Sequence, residues 1–292
     1  MRISVSERTT FGETAIDRVR DYWNARPCNL RHSQAPVGTR QYFDEVERRK
    51  YFVEPHIPAF AEFTRWSGKR VLEIGCGLGT DTINFARAGA HVTAVELSTR
   101  SLDLARQRAD VFGLTDRITF VEANAEQLSE CVPARPYDLV YSFGVIHHTP
   151  HPARVLQQIR ANYSGPQTTL KLMVYSRRSW KVLAIVLREA HGRFWKLDEV
   201  VARHSEAQTG CPVTYTYTPN SARRWLEENG FEVDDLFVDH IFPYHVPDYV
   251  QYRYRKTLPF RWLPNAAMRA LERRLGWHLC VTAHARTEAS GR

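Results

Sequence analysis

No stretch of about 18 consecutive apolar residues occurs in the sequence, so no membrane-spanning helix is expected. The first residues, MRISVSERTTFGETAIDRVRD, hold no apolar core followed by a small-residue cleavage site, and a secretory signal is likewise not expected. Cysteine is sparse. The five residues Cys28, Cys76, Cys131, Cys211 and Cys280 are scattered, odd in number and form no C-x-x-C pair. That pattern speaks against a disulfide framework or a zinc cluster and fits reduced thiols in a cytoplasm. Glycine and proline, 15 of each, are too few for a collagenous or low-complexity chain. A G-K-[S/T] triplet is absent, which removes a Walker A loop from consideration.

What is present is an ordinary globular balance, 43% hydrophobic and 25% charged, which excludes a mainly disordered chain. The 292 residues suit one large domain, or one domain with a sizeable insertion. Lys plus Arg is 40 and Asp plus Glu 32, so the formal charge is 40 − 32 = +8. Over this length the bias permits an anionic substrate or nucleic acid and requires neither. Short apolar runs at 70–75, 91–97, 117–123, 137–143 and 168–176 alternate with helical patterns. Such alternation reads as β-α-β crossovers and a parallel sheet. In the helix at 98–113, Ser98 is the expected N-cap and Gly113 the stop. Later strands are expected at 231–239 and 277–285, with Asn220 or Ser221 capping the helix before the first of them. The expected organisation is an N-terminal helical cap over 1–64 and a core over 65–176. A cap insertion over 177–217 follows, and the end of the core sheet over 218–292 carries a second, aromatic insertion at 240–275.

The strongest local signal is E-I-G-C-G-L-G-T at 73–80. Gly75, Gly77 and Gly79 lie between a strand and a helix, where absent side chains allow a tight turn and close approach of a ligand to backbone amides. Glu96 ends the next strand, about 20 residues on, where a carboxylate accepts from two ribose hydroxyls. Glu73, before the first glycine, suits a ligand amine. A dinucleotide fingerprint asks for G-x-G-x-x-G, and here its sixth position is Thr80.

With VELS at 95–98, FVEANAEQL at 120–128 and YDLVYSFGVIHHTPHP at 137–152, the chain resembles the class I S-adenosylmethionine-dependent methyltransferases, of the small-molecule kind with a type 11 or 25 domain. The resemblance implies a Rossmann-like, seven-stranded, mostly parallel sheet flanked by helices, with N-terminal helices and helical or aromatic insertions forming a cap. It implies S-adenosyl-L-methionine as cofactor. Gly75, Cys76 and Gly77 would line its methionine moiety, with Glu73 holding the ammonium. Glu96 would take the ribose hydroxyls, and Leu97 would pack on adenine. Asn124, where the family often has Asp, would accept from the adenine amine, and Ala125 would offer an amide. Ser142 and Phe143 would face the sulfonium.

His147 and His148 follow the fourth strand at its carboxyl end, the crevice edge of an open α/β sheet. An imidazole titrates near neutrality, so His147, or failing it His148, is the expected base or orienting group. With His151 they spell H-H-x-x-H, but Pro150 and Pro152 bar the regular helix a metal pair would need, and no metal is expected there. Substrate contacts are expected from Tyr215, Tyr217, Tyr244 and Tyr252, and from Arg31 in the loop at 27–39. The amino-methylating nucleic-acid enzymes of this fold carry (Asn/Asp)-Pro-Pro-aromatic after the fourth strand, where this chain has Ser142-Phe143-Gly144-Val145. No appended RNA-binding module is visible either. A small-molecule acceptor is therefore expected, with neither nucleic acid nor membrane as partner, and oligomeric state is left open. The rival readings are an enzyme that uses the sulfonium for cyclisation or elimination, releasing 5′-methylthioadenosine, and a non-catalytic cofactor-binding protein.

Overall fold

A computed structural model of the chain describes residues 10–189, 197–205, 210–258 and 260–286. Residues 1–9, 190–196, 206–209, 259 and 287–292 lie outside the described residues, with 190–196 and 206–209 falling within the insertion expected over 177–217. The strands are β1 (Arg70–Ile74), β2 (His91–Glu96), β3 (Ile118–Glu122), β4 (Leu139–Phe143), β5 (Thr169–Ser176), β6 (Thr216–Tyr217), β7 (Phe231–Asp239) and β8 (His278–Ala285). Seven of them form the order β3-β2-β1-β4-β5-β8-β7, and β6, an eighth strand of two residues, pairs with β5. All pairs among β1 to β6 are parallel, whereas β8 runs antiparallel to β5 and to β7. The expected sheet is thus present, with one short addition.

Side-chain alternation divides the apolar residues between two cores. Along β5, Leu170, Leu172 and Val174 enter one core, and Met173 and Tyr175 enter the other. Val140 on β4 joins the first, and Leu139 and Tyr141 join the second. Helices Pro152–Gln158 and Pro219–Glu228 cover the first core through Val155, Leu156, Trp225 and Leu226. Helices Thr80–Arg87 and Thr99–Phe112 cover the other through Ile83, Phe85, Leu102 and Ala105. Both faces are buried, so the strands read as near-continuous apolar runs.

The local signals act as their chemistry dictates, with one shift. Ser98 accepts from the Ser101 amide at 3.2 Å, and Gly113 ends the same helix with φ at +65°. The later helix is capped by Thr218, two or three residues before the expected positions. Its side chain and that of Ser221 satisfy each other's backbone amides, and Pro219 takes the first helical position. Outside the sheet lie helices Ile16–Ala25, Arg40–Val53 and Ile57–Ala61 on the N-terminal side. Trp180–Glu189, Leu197–Ser205 and Asn265–Leu275 follow later.

The chain steps from β1 outward to β2 and β3, then returns to place β4 on the other side of β1. That reversal opens a crevice beyond the carboxyl ends of β1 and β4. Helix Arg40–Val53 is tied to the core by Arg108, whose guanidinium is fully buried. It donates to Thr80 Oγ1 at 2.7 Å, to the Phe43 carbonyl at 3.3 Å and to Glu47 at 2.9 Å. Glu47→Ala leaves that cation without its carboxylate and should cost about 3–5 kcal/mol in urea denaturation. Pairing it with Arg108→Met should recover much of the loss; equal losses in the single and double variants would show that the ion pair does not tie the helix down.

Candidate functional site

The turn after β1 is built on backbone geometry. The amides of Gly75 and Cys76 both donate to the Val95 carbonyl, at 2.7 and 3.0 Å. Gly75 has φ at +80°, and a Cβ there would lie 2.2 Å from Val145 Cγ2, so no side chain fits. Gly77, at φ +54°, is different: a Cβ built on it meets nothing within 4 Å, because the residue faces a cavity. Gly79 begins the helix Thr80–Arg87 and packs against Ala105, away from that cavity.

The carboxylate of Glu96 is clamped across this turn. Oε2 accepts from the Gly77 amide at 2.8 Å, and Oε1 accepts from the Leu97 and Ser98 amides at 2.9 Å each. Burial raises its pKa against these three donors. A carboxylate offers about four acceptor positions. Three are taken, so of two ribose hydroxyls one can be met while the Gly77 amide stays in place.

Beneath the turn lies a buried polar layer. Glu73 Oε2 accepts from Thr82 Oγ1 at 2.5 Å. Asp81 accepts from Lys50 at 2.8 Å and from the hydroxyls of Tyr51 and Tyr141 at 3.0 Å each. Burial, then the charge of Asp81, push the Glu73 carboxyl up from 4.5 to about 8, against the Thr82 hydrogen bond and Lys50.

The cavity encloses about 190 Å³, whereas one water needs roughly 10–15 Å³, so it is of ligand size. Its wall includes Gly75, Cys76, Gly77, Glu96, Leu97, Asn124, Ala125 and Phe143, eight residues brought together from four separate segments. Asn124 also holds its own turn, its Oδ1 accepting from the Glu126 amide at 3.0 Å. Ser142 lies behind the wall and donates to the Ile74 carbonyl at 3.0 Å. Of the histidine pair, His148 reaches the cavity. Its Nδ1 lies 2.7 Å from the Val213 carbonyl, which makes Nδ1–H the donor. His147 is fully buried behind it, its ring centroid 4.2 Å from that of His148 and 4.0 Å from that of Tyr175. Burial holds His147 well below its ordinary pKa.

The tyrosines expected at a substrate pocket lie elsewhere among the described residues. Tyr215 packs edge-on against Phe11, and its hydroxyl donates to the Pro150 carbonyl at 3.1 Å. Tyr217 stacks on Trp225 at 4.9 Å, beside the first core. Tyr252 lies over Arg49, its ring 4.0 Å from the guanidinium carbon, and donates to the Arg31 carbonyl at 3.0 Å. Tyr244 joins Phe52, Phe242 and Tyr254 nearby. Their ring area is used in packing and cation–π contact instead. Arg31 is exposed, and from its loop Cys28 and Asn29 reach the cavity.

Sequence reasoning missed the opposite end of the cavity, lined by Lys50, Glu54, Tyr175 and His278. His56 and His240 adjoin it, with ring centroids 5.1 and 4.5 Å from that of His278. The available signal was topological. With β8 antiparallel, the residue that begins β8 reaches the same edge as the residues that end β5 and β7.

A family profile described as a methyltransferase domain matches residues 46–236, more than half of the chain. A ubiquinone biosynthesis O-methyltransferase of Actinobacillus pleuropneumoniae serotype 7 is 35% identical over 96 residues, which is 32% of this chain and 41% of that protein. The chain therefore matches less than half the length of that relative. The protein of the same name from Haemophilus ducreyi is 27% identical over 179 residues, 56% of this chain and 75% of that protein. Among solved structures, magnesium protoporphyrin IX methyltransferase from Synechocystis PCC 6803, with bound SAH, has the same fold. It gives a TM-score of 0.57 at 18% identity, covering 94% of this chain and 100% of that one.

A carboxyl that ionises at about 8 when folded and 4.5 when unfolded favours the folded state while protonated. That contribution is complete below pH 4.5 and is lost as pH rises past about 8. Glu73→Gln should therefore lose less stability than the parent between pH 5 and pH 9, roughly, in urea midpoints. Parallel curves for the two proteins would show that Glu73 is not held protonated.

Proposed function

This chain belongs to the methyltransferase-domain family, the class I S-adenosylmethionine-dependent type, and we propose that it carries a methyl group from S-adenosylmethionine to a hydroxyl of a small molecule. The observation that carries this reading is the paired geometry of Gly77 and Glu96: a backbone cradle open to the cavity and a carboxylate fixed by three amides beside it. The cradle fits an adenosyl ligand, since the space a Cβ would fill at Gly77 is the space such a ligand needs.

Glu96 would accept from a ribose hydroxyl, and Leu97, Asn124 and Ala125 would surround the base. Glu73, expected to hold the ammonium, lies beneath the loop and does not line the cavity, so we assign it to the buried polar layer instead. Bound there, the cofactor supplies an electrophilic methyl group on a sulfonium. The chain's own part is alignment and exclusion of water, and alignment alone is worth roughly 7–11 kcal/mol. Phe143, Tyr175 and Trp23 give the cavity aromatic walls that suit a cation and a flat acceptor. With Nδ1–H held by a backbone carbonyl, His148 keeps Nε2 as its basic atom, and it would take the proton of an arriving hydroxyl. His147 would act through it, as a packing partner that fixes its ring.

An oxygen acceptor is favoured by the O-methyltransferase relatives. The N-terminal segment supplies Ile16, Val19, Trp23, Lys50 and Glu54 to the cavity wall, which supports a cap over 1–64 on the core 65–176 and 218–292. Described residues of 177–217 and 240–275 do not line this cavity; we assign them to the outer part of the cap. No helix among the described residues is long and apolar enough to cross a membrane. The five cysteines form no disulfide among the described residues, which fits a cytoplasmic setting, and nucleic acid is not assigned as a partner.

Glu96→Ala removes a charged hydrogen-bond acceptor and should weaken S-adenosylhomocysteine binding about 10- to 100-fold in calorimetry. Gly77→Ala, which fills the cradle from a separate strand end, should weaken it too. Parent-like affinity in both variants would overturn the assignment. With a panel of phenols, S-adenosylhomocysteine should accumulate; 5′-methylthioadenosine alone would point to a different use of the sulfonium.

A further inference from the structure

The end of the cavity remote from Glu96 is formed by residues that no expected role has claimed. Helix Arg40–Val53 runs out at Glu54, and His56 follows two residues later at the start of helix Ile57–Ala61. His240 comes just after β7, and His278 begins β8 opposite Asp239 on one side and Tyr175 on the other. Three chain segments thus deliver one carboxylate and three imidazoles to one corner. A carboxylate oxygen of Glu54 and one ring nitrogen each of His240 and His278 all lie within 4.8 Å of one another. Glu54 Oε1 is 3.6 Å from His278 Nε2. That is too long for a hydrogen bond, but it suits two donors on one ion, which sit about 3–4 Å apart around a first-row cation.

Further features mark this corner as built. His278 Nδ1 lies 3.0 Å from His56 Nε2, so His278 has an outer partner on the nitrogen turned away from Glu54. The other ring nitrogen of His56, in a residue only 7% exposed, has no hydrogen-bond partner among the described residues. His240 adopts φ at +69°, a costly conformation for a residue with a side chain. Asp239 holds that turn: its Oδ1 accepts from the His240 amide at 2.7 Å, while Arg269 grips both its oxygens at 3.2 and 3.1 Å. Of the nearby cations, Lys50 is matched by Asp81 at 2.8 Å, Arg269 is matched by Asp239, and Lys181 donates to the Ser205 carbonyl.

We propose that Glu54, His240 and His278 form a binding site for a divalent first-row transition cation, with His56 as the outer partner that orients His278. Two nitrogens and one carboxylate suit zinc, iron(II), cobalt(II) or manganese(II), whereas magnesium and calcium favour all-oxygen sets. Three protein ligands leave coordination positions open. Glu54 and His278 both line the cavity, so those positions face the space where a second small molecule would sit. The site needs no assumption about methyl transfer.

Chelator-stripped full-length protein should bind Zn²⁺ at one tight site in calorimetry, and Co²⁺ should give visible d–d absorption with the same stoichiometry. Glu54→Gln and His278→Asn should each weaken Zn²⁺ binding at least about 100-fold, and His56→Ala about 10- to 100-fold. Two substitutions on different segments guard against one that simply misfolds, with circular dichroism as the check. Glu96→Ala should keep full cation affinity, which separates this site from the nucleoside end. His284→Asn should also keep it; that exposed residue with Asp234 at 2.8 Å is the competing surface chelate. The proposal is overturned by absence of tight Zn²⁺ and Co²⁺ binding. It is equally overturned by binding that survives Glu54→Gln and His278→Asn, or that disappears with His284→Asn.

Discussion

The clamp that three backbone amides place on the Glu96 carboxylate governs the rest of the site. It joins the end of β2 to the turn after β1 through the Gly77 amide, and it starts the next helix through the amides of Leu97 and Ser98. A carboxylate free to rotate would spend binding energy on being ordered. Here that cost is met during folding, and the carboxylate lines the cavity already oriented. Two positions of the turn stay bare: Gly75 is pressed against Val145, just after β4, and Gly77 presents its backbone to both the carboxylate and the cavity.

The polar layer under the turn carries the next constraint. Glu73 and Asp81 are both nearly fully buried, and one cation, Lys50, comes close to them from helix Arg40–Val53. The N-terminal segment is therefore joined to the core by charge as well as by apolar contact. It also supplies Trp23, Lys50 and Glu54 to the cavity wall. Because Lys50 pairs with Asp81, the packing of helix Arg40–Val53 is coupled to the buried polar layer beneath the turn.

Much of this was legible in the sequence, and the reason is periodicity. Strands buried on both faces read as short apolar runs, and glycine marks the turn that a ligand approaches; 73–80 with Glu96 is readable because both signals are local. The shift of a helix cap to Thr218 shows the limit of that reading: Ser221 is in the capping box, but as the third helical residue. Tyr215, Tyr217, Tyr244 and Tyr252 were expected at a pocket because hydroxyls bind ligands. An aromatic ring buries more area than its hydroxyl demands, and packing against Phe11, Trp225, Phe52 and Arg49 claims Tyr215, Tyr217, Tyr244 and Tyr252 in turn. His147 and His148 are neighbours in sequence, yet only one can face the cavity where the chain turns after β4. Glu54, His56, His240 and His278 could not be grouped by spacing at all. They meet because β8 runs antiparallel between two parallel neighbours, a property of sheet topology and not of any local pattern.

A crystal structure of the chain with S-adenosylhomocysteine tests the central claim most directly. The account predicts the nucleoside between Leu97 and Asn124, a ribose hydroxyl on the free lone pair of Glu96 with the Gly77 amide still in place, and the sulfur beside Phe143. Ligand density elsewhere, or a Glu96 carboxylate making only its three backbone contacts while the ligand sits apart, would contradict it.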